Sequence, residues 1–434
     1  MTVKGGNIAI SKGIKFRTLY TIALMIISMS VAQWIFGGQV YALQNTVSPT
    51  WKFNIGSEVR TTAVSGNGEL IVAGAIDKKI YALDRSGTKL WEYQAGDTPE
   101  SLAISGDGST IAAGIHGGHV ISLDKDGKLL GDYSVGEYMT DVSITNSGNT
   151  IVAGSWNNNI YAITPTGQSQ WFYKTDDWIK AAIVSGDGGI IISGGKNGNV
   201  TALDRRGGYL WNRSAGSEIN DVSVSLKGDL IIVSTQSGNA ILYNRQGKTI
   251  KEFPTNENIN ALGVGGDGKM AIAGTSNGVI YALSKTGTTL WKSELSGPIK
   301  SISISGFDMT VAGDSNGIVS GFDDGGNKTL NYQAETTINS VAIANNGEMI
   351  VAGCGDYRVY AFDNRNGSMI PLVTPTPTPQ PTTANATNAT NSTPTHNRTH
   401  TPLLLHGIPG FTGDIAFLAL IGVAIIAGRK VRRR

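Results

Sequence analysis

Short runs of alternating apolar and polar residues fill most of this chain, and glycine-containing turns separate them. In one such stretch, residues 101–105 alternate, Gly106-Asp107-Gly108 follows, and residues 111–114 are small and apolar. Strands alternate with a period of two, and glycine and aspartate tolerate the positive φ angles of hairpin turns. Two further strand-like runs complete the stretch by about residue 133. The pattern therefore predicts a unit of four antiparallel strands.

The unit recurs about every 40 residues. Closely similar segments begin with VSGNGEL at Val64, VSGDGGI at Val184 and VGGDGKM at Val264. A period of this length with four strands per repeat is typical of propeller blades. Five tryptophans fall on the same register and are interpreted as shared structural contacts: Trp51, Trp91, Trp171, Trp211 and Trp291.

Counting the repeats predicts an all-β, eight-bladed propeller over residues 43–370. Small residues mark eight second strands, from Gly74 to Gly353, with Ser234 in place of glycine in the fifth. Only seven fourth strands follow them, and residues 51–55 precede the first complete unit. We expect this N-terminal strand to pair with the last repeat, residues 341–363, because closure removes the free edges of the sheet.

Two segments carry a family resemblance. ALDRSGTKLW at residues 82–91 and ALDRRGGYLW at residues 202–211 resemble the tryptophan-docking repeat of pyrroloquinoline-quinone (PQQ) propellers, although the turn is one residue shorter. WD40 propellers are the neighbouring possibility, but no Trp-Asp dipeptide ends these strands. Some members of the PQQ class are dehydrogenases with calcium and a disulfide between adjacent cysteines. Cys354 is the only cysteine, and the regular repeat leaves no room for a catalytic cap, so we expect no enzyme activity and no cofactor.

Composition narrows the function further. The 434 residues carry a net charge of +2, which provides no basic face for nucleic acid. His116 and His119 have no third ligand near them in sequence, and the Gly-Asp-Gly turns lack the ligand density of a calcium loop, so we expect no metal. Cys354 lies in a strand-like segment and is expected to be a buried free thiol.

The N-terminal end is typical of a secreted protein. Basic residues precede an apolar run at residues 19–36, and Val40-Tyr41-Ala42 supplies a small-residue cleavage site. Residues 1–42 are therefore predicted to be a signal peptide, with a retained membrane anchor as the alternative.

The C-terminal end is typical of an anchored surface protein. Residues 371–406 are rich in Pro, Thr and Asn and predict an extended, disordered stalk. Four sequons in it are glycosylation candidates: Asn385, Asn388, Asn391 and Asn397. Four more lie in or beside the repeats, at Asn199, Asn212, Asn327 and Asn366.

Residues 407–434 combine Pro409-Gly410-Phe411, an apolar span and an arginine-rich tail. This order resembles the PGF-CTERM sorting signal of archaeal surface proteins, which implies removal of the helix and lipid attachment. The alternative is an ordinary transmembrane helix. Either reading anchors the propeller at the extracellular face of the membrane.

Aromatic residues outside the repeat register are the binding candidates. In a propeller, the turns between strands 2 and 3 share one face with the connections between blades, and this face is expected to carry Tyr138, Trp156, Trp178 and Tyr357. Exposed aromatics on one face favour contact with an extracellular or envelope protein or a glycan, while packing at a blade junction is the alternative.

We therefore expect a monomeric, non-catalytic surface module for binding or scaffolding. The second reading is an envelope assembly factor, by analogy with the eight-bladed barrel-assembly lipoprotein of bacterial outer membranes. A PQQ dehydrogenase is the third.

Overall fold

The computed structural model describes residues 47–365, and their regular structure is entirely β. Thirty-two strands form eight four-stranded antiparallel sheets. The first strands of the eight sheets are neighbours in order around a ring, and β2 of the first blade contacts β30 of the last. The predicted eight-bladed propeller is confirmed.

The strands of the first four blades have these bounds. Blade 1 contains β2 (Val59–Val64), β3 (Leu70–Ala75), β4 (Lys79–Asp84) and β5 (Lys89–Gln94). Blade 2 contains β6 (Pro99–Ile104), β7 (Thr110–Ile115), β8 (His119–Asp124) and β9 (Leu129–Ser134). Blade 3 contains β10 (Met139–Ile144), β11 (Ile151–Ser155), β12 (Asn159–Ile163) and β13 (Ser169–Lys174). Blade 4 contains β14 (Ile179–Val184), β15 (Ile190–Gly195), β16 (Asn199–Asp204) and β17 (Tyr209–Ser214).

The remaining blades follow the same plan. Blade 5 contains β18 (Ile219–Val224), β19 (Leu230–Thr235), β20 (Asn239–Asn244) and β21 (Thr249–Pro254). Blade 6 contains β22 (Ile259–Val264), β23 (Met270–Thr275), β24 (Val279–Ser284) and β25 (Thr289–Glu294). Blade 7 contains β26 (Ile299–Ile304), β27 (Thr310–Asp314), β28 (Ile318–Phe322) and β29 (Lys328–Gln333). Blade 8 contains β30 (Ile338–Ile343), β31 (Met349–Cys354) and β32 (Arg358–Asp363), and β1 (Trp51–Asn54) is its fourth strand.

The N-terminal strand closes the ring, as the sequence predicts. β1 pairs antiparallel with β32, with Trp51 opposite Ala361. Arg85 reinforces the seam between blades 8 and 1: it is only 7% exposed and donates to both carboxylate oxygens of Asp363 at 2.9 Å. The guanidinium lowers the pKa of Asp363 well below its usual range, through hydrogen bonding first of all.

The register tryptophans pack five of the eight blades against the next one. The indole of Trp91 lies against Gly127, where a Cβ would come within 2.5 Å of the ring, and its Nε1 donates to the Lys125 carbonyl at 2.8 Å. Gly127 has a φ of +82°, so glycine suits both the turn and the contact. The other four repeat this arrangement, and their Nε1 atoms donate over 2.8–3.1 Å to the carbonyls of Arg85, Arg205, Arg245 and Asp324.

In blade 2, where glycine replaces the tryptophan, the backbone of the next blade comes very close. Gly131 occupies its position in blade 2, and a Cβ there would lie 2.2 Å from the Gly167 nitrogen in the next blade's turn. The backbone of that turn thus takes the space of the indole. The Ser122 hydroxyl donates to the Pro165 carbonyl across the same junction.

The two faces of the ring differ. The upper face carries the turns between strands 2 and 3, such as residues 76–78, and the connections between blades, such as residues 95–98. The lower face carries the other turns, and neighbouring blades are joined there by backbone hydrogen bonds, including Gly66 N to Gly106 O at 3.2 Å and Gly106 N to Asn146 O at 3.0 Å. Seven such bonds link consecutive blades around the lower face.

The ends of the chain lie outside the described residues. This applies to the signal peptide, the stalk with its sequons, the Pro409-Gly410-Phe411 motif and the propeller bounds of 43 and 370, all of which stay predictions. Within residues 47–365, no helix is long and apolar enough to span a membrane. Cys354 is a buried free thiol, and burial raises its pKa to about 12.

Candidate binding site on the upper face

Each blade builds its part of the upper face from the same pair of positions. The last residue of the incoming connection accepts a backbone hydrogen bond from the first residue of the turn between strands 2 and 3. In blade 3 this bond joins Trp156 N to Tyr138 O at 3.1 Å, and in blade 4 it joins Lys196 N to Trp178 O at 3.0 Å. Blades 5 and 6 carry polar pairs at these positions, Glu218 with Gln236 and Asn258 with Ser276. The repeat thus fixes the backbone, and the residue type alone makes blades 3 and 4 different.

The structure brings three of the four candidate aromatics together. The ring centroids of Tyr138 and Trp156 are 4.6 Å apart with planes inclined by 44°, and those of Trp156 and Trp178 are 5.0 Å apart with planes inclined by 6°. Trp156 and Trp178 are 38% and 39% exposed. We call this row, together with His116 and Lys196 at its ends, the aromatic ladder.

Polar side chains contact the aromatic rings at both ends of the aromatic ladder. Lys196 Nζ lies 4.3 Å from the centroid of the Trp178 ring, within the range of a cation–π interaction. At the other end, His116 meets Tyr138 edge-on at 4.8 Å, and its Nδ1 lies 3.2 Å from Glu100 Oε1. Arg60 pairs with the other oxygen of Glu100 at 3.1 Å. The row therefore spans blades 2 to 4, and Arg60 of blade 1 contacts it through Glu100.

The hydroxyl of Tyr138 stays protonated in neutral solution. Burial raises its pKa above the usual value, the negative charge of Glu100 adds to the increase, and Arg60 opposes it. Tyr138 therefore offers a hydrogen-bond donor in the middle of the row.

The tryptophans of the aromatic ladder differ from the register tryptophans in their hydrogen bonds. All five register indoles donate Nε1–H to a carbonyl of the next blade. Among the residues that the structure describes, no acceptor is hydrogen-bonded to Nε1 of Trp156 or Trp178. Indole N–H groups that pack for structural reasons usually find a partner, so these two are free for an external one.

Tyr357 lies apart from the aromatic ladder. It belongs to the turn between strands 2 and 3 of blade 8, with a φ of +72° and 51% exposure. Blade 1 separates it from His116, and no ring contact involves it within residues 47–365. Tyr138 and Trp156 belong to one repeat and Trp178 begins the next, so the sequence also favours a cluster of these three rings on adjacent blades, and the structure shows their contacts.

The two histidines of blade 2 point to different carboxylates. His116 contacts Glu100 of β6, whereas His119 Nδ1 lies 2.8 Å from Asp132 of β9 on the other edge of the blade. No group of three or more candidate metal ligands exists among the described residues. Sequence reasoning missed the contact of His116 with Tyr138, because the blade connection that joins them is specific to the folded ring.

Two carboxylates on the innermost strands also escaped the sequence analysis. Asp221 of β18 accepts hydrogen bonds from Val222 N at 2.8 Å and Leu262 N at 2.9 Å of the next blade. Asp141 of β10 accepts one from the Ser101 hydroxyl at 2.9 Å. Burial raises their pKa values to about 7 and about 6, and repulsion from Asp141 adds to the increase for Asp221. The available signal was aspartate at a first-strand position where the other repeats carry Thr, Ser or Ala.

The comparisons with known proteins agree with this architecture. The family model described as outer membrane protein assembly factor BamB matches residues 31–164 and 255–401, which is more than half of the chain. The chain belongs to this BamB family. A second model, described as a family of unknown function, matches residues 180–312. No curated protein matches the chain.

Solved structures share the BamB-family fold at low sequence identity. BamB from Moraxella catarrhalis is 16% identical with a TM-score of 0.59, and the alignment covers 73% of this chain and 99% of that one. Sqt1 from Chaetomium thermophilum, bound to the N-terminus of the ribosomal protein L10, is 16% identical with a TM-score of 0.62, covering 71% and 97%. The computationally designed Ika8 protein is 17% identical with a TM-score of 0.63, covering 71% and 97%. At these identities the likeness shows the fold alone.

The residues of this BamB-family chain do not fit the cofactor from which PQQ propellers take their name. The register tryptophans are packed on blade-junction glycines, so none of them is available to stack on a quinone. Cys354 is a single buried thiol that donates to the Thr336 carbonyl. No step through a quinone follows from this arrangement.

Proposed function

We propose that this BamB-family propeller is a non-catalytic module that binds a protein partner through the aromatic ladder. The main support for this proposal is the pair of exposed indoles of Trp156 and Trp178. Their N–H groups have no acceptor among the described residues. Tryptophan and tyrosine are enriched at the energetic centres of protein interfaces, where one side chain supplies apolar area and a hydrogen bond.

The packing of the rings favours a protein over a glycan. Each indole already has two close neighbours: Trp156 contacts Tyr138 and Trp178, and Trp178 contacts Trp156 and Lys196. A sugar ring would need a free ring face on which to stack. A polypeptide can use ring edges and indole N–H groups, because aromatic edges carry partial positive charge and attract backbone carbonyls.

The comparisons support protein binding as a use of this fold. Sqt1, whose structure is similar, is bound to the N-terminus of a ribosomal protein. The sequence adds the location: a signal peptide, a glycosylated stalk and a C-terminal anchor would display the module at the extracellular face of the membrane as a monomer.

A second candidate is an assembly factor of the cell envelope. The family description, outer membrane protein assembly factor, favours this role. An assembly factor would co-purify with several envelope proteins in a fixed ratio, whereas a receptor or adhesin would capture a single partner.

The test is a comparative capture experiment. Full-length protein and the double variant Trp156→Ala/Trp178→Ala are solubilised, immobilised and exposed to envelope extract of the source cells, and captured proteins are quantified by mass spectrometry. We expect at least one protein to be captured by the parent and lost with the double variant. Tyr357→Ala is the matched control, since it removes an exposed ring from the same face outside the aromatic ladder. Equal capture by all three proteins would refute the proposed site.

A further inference from the structure

Three blade junctions are filled by a pair of rings. A ring on the fourth strand of one blade meets a tyrosine on the third strand of the next. The pairs are Tyr133 with Tyr161 at 5.7 Å, Phe253 with Tyr281 at 5.2 Å and Tyr332 with Tyr360 at 5.3 Å between centroids.

At the junction of blades 3 and 4 the second ring is missing. Tyr173 supplies the ring of blade 3, but Thr201 occupies the position of Tyr161 one repeat later. An open cleft lies between the two blades. Its lining includes Tyr173, Thr201 and the connection that leads to Trp178. The cleft is therefore next to the aromatic ladder.

The side chains that receive a tyrosine hydroxyl in blade 3 are repeated in blade 4. In blade 3, Asn157 Nδ2 and Asn159 Nδ2 donate to the Tyr161 hydroxyl at 2.7 Å and 3.0 Å. Asn197 and Asn199 stand at the same positions of blade 4, and both line the cleft.

The local backbone geometry of the two blades is the same. Asn197 Oδ1 accepts Asn199 N at 3.0 Å, just as Asn157 Oδ1 accepts Asn159 N at 3.1 Å. Within the described residues, neither Asn197 Nδ2 nor Asn199 Nδ2 donates to any acceptor. Blade 4 thus has two asparagine amide donors at the positions that bind the Tyr161 hydroxyl in blade 3, but it has no tyrosine hydroxyl to bind.

Inside the cleft, a further polar group lacks a partner. Ser193 is 2% exposed and lines the cleft, and its hydroxyl has no hydrogen-bond partner among residues 47–365. Alanine stands at this position in blade 3, as Ala153. Thr201, 5% exposed, accepts Asn212 Nδ2 at 3.1 Å. The Ser193 hydroxyl thus adds a polar group to the cleft lining that a ligand atom can contact.

We propose that this cleft binds a phenol ring, and that the natural ligand is a tyrosine side chain of the protein partner. The ring packs beside Tyr173 as Tyr161 packs beside Tyr133, and its hydroxyl accepts from Asn197 and Asn199. Neutral amide N–H groups suit a hydroxyl oxygen, which accepts hydrogen bonds. A cationic head group suits them less, because it has no acceptor atom. The assignment of the phenol to a tyrosine of a protein partner rests on the proposed protein-binding function. The existence of a phenol site in the cleft does not rest on it.

The test uses p-cresol, the side-chain analogue of tyrosine, and full-length protein whose intact mass shows no glycan. Binding is measured by saturation-transfer NMR, with toluene, methyl glucoside and guanidinium as the other probes. We expect saturable binding of p-cresol that is about ten-fold tighter than that of toluene, because only the phenol has a hydroxyl that accepts from Asn197 and Asn199. Equal binding of toluene, or preferred binding of the glucoside or guanidinium, would overturn the proposal.

Two variants locate the site. Thr201→Tyr places the ring of blade 3 in the cleft and is expected to fold and to weaken p-cresol binding by about ten-fold or more. Asn199→Ala is expected to bring the affinity for p-cresol close to that for toluene, whereas Asn159→Ala, the matched change in blade 3, leaves p-cresol binding unchanged.

Undiminished binding to Thr201→Tyr, failure of that variant to fold, or equal effects of the two asparagine variants would each refute the site. A glycan on Asn199 of the native protein would refute it as well, since Asn199-Val200-Thr201 is a sequon. None of these outcomes depends on the capture experiment with the Trp156 and Trp178 variants.

Discussion

Trp156 and Trp178 come from different blades, yet their indoles lie parallel within 6°, with centroids 5.0 Å apart. Each is anchored by a backbone hydrogen bond that every blade repeats, so the stack requires no special loop. Two substitutions in neighbouring repeats are enough to create a continuous aromatic surface. The propeller therefore separates its stability, which the repeat provides, from recognition, which individual turn residues provide.

Replacing the stacked indoles should weaken binding without unfolding the ring. We expect Trp156→Ala or Trp178→Ala to reduce the affinity for the captured partner by about 2 kcal/mol for at least one of the two, as at other interface aromatics. The melting temperature should change little, because exposed turn side chains contribute little to stability. Titration calorimetry and thermal unfolding provide the two measurements. Trp91→Ala should show the reverse pattern, with a lower melting temperature and a retained affinity below it.

The contact between Trp91 and Gly127 can be separated from backbone strain. Gly127 and Gly136 have similar φ angles of +82° and +77°, but only a Cβ at Gly127 would meet a neighbour, the Trp91 ring, since nothing lies within 4 Å of Gly136. We expect Gly136→Ala to cost about 1 kcal/mol from strain alone. Gly127→Ala should cost about 2 kcal/mol more, because the indole must move from its site. Urea unfolding of both variants measures this difference, and equal losses would show that the docked indole adapts freely.

Stability should depend on pH through the two inner carboxylates. The pKa of Asp221 is raised to about 7 and that of Asp141 to about 6 in the folded protein, above the usual carboxyl value. The folded state therefore binds more protons than the unfolded state between about pH 4 and pH 7, so the free energy of unfolding falls as pH rises through this window. Asp221→Asn should reduce this fall by on the order of 2 kcal/mol, since its amide does not ionise.

The comparison uses chemical unfolding of each protein at about pH 5 and about pH 8. Because the two groups are coupled, the double variant with Asp141→Asn should show the smallest dependence on pH. A parent-like dependence in Asp221→Asn would mean that this carboxylate is already ionised in the folded protein at about pH 5.

The C-terminal motif predicts processing of the mature protein. Pro409-Gly410-Phe411 precedes an apolar span and a basic tail, an order that resembles a sorting signal. We expect intact-mass analysis of membrane-extracted protein to show loss of the C-terminal segment and gain of a lipid. A mature chain that still ends at Arg434 would instead identify a transmembrane anchor. A Pro409→Ala/Gly410→Ala/Phe411→Ala variant, expected to retain the full chain, is the control.

The fold could be predicted from sequence because the repeat fixes both the spacing and the contacts. The tryptophan of one unit and the glycine of the next recur together, so the register of Trp91 and Gly127 reports a real contact between blades. Even the incomplete first unit was informative, since a missing fourth strand and an extra N-terminal one imply closure.

The site could be predicted only in part, because it depends on departures from the repeat. The rings at Tyr138, Trp156 and Trp178 stood out as additions, whereas the cleft depends on a loss, the threonine that replaces tyrosine at residue 201. A loss is visible only when the repeats are aligned position by position and the partners of the missing ring are known. The pairing of Asn157 with the Tyr161 hydroxyl, which gives Asn197 its meaning, is a property of the folded chain.

The seam at β1 has a consequence for biosynthesis. β1 is among the first parts of the propeller to leave the ribosome, and its partner β32 is the last strand to do so. The backbone of β1 must therefore wait, unpaired, until some three hundred residues have been made, because its pairing with β32 is a contact of very high sequence separation and slow to form. A chain truncated anywhere in the ring would leave this strand without a partner. The ring can therefore close only after the entire propeller has been synthesised.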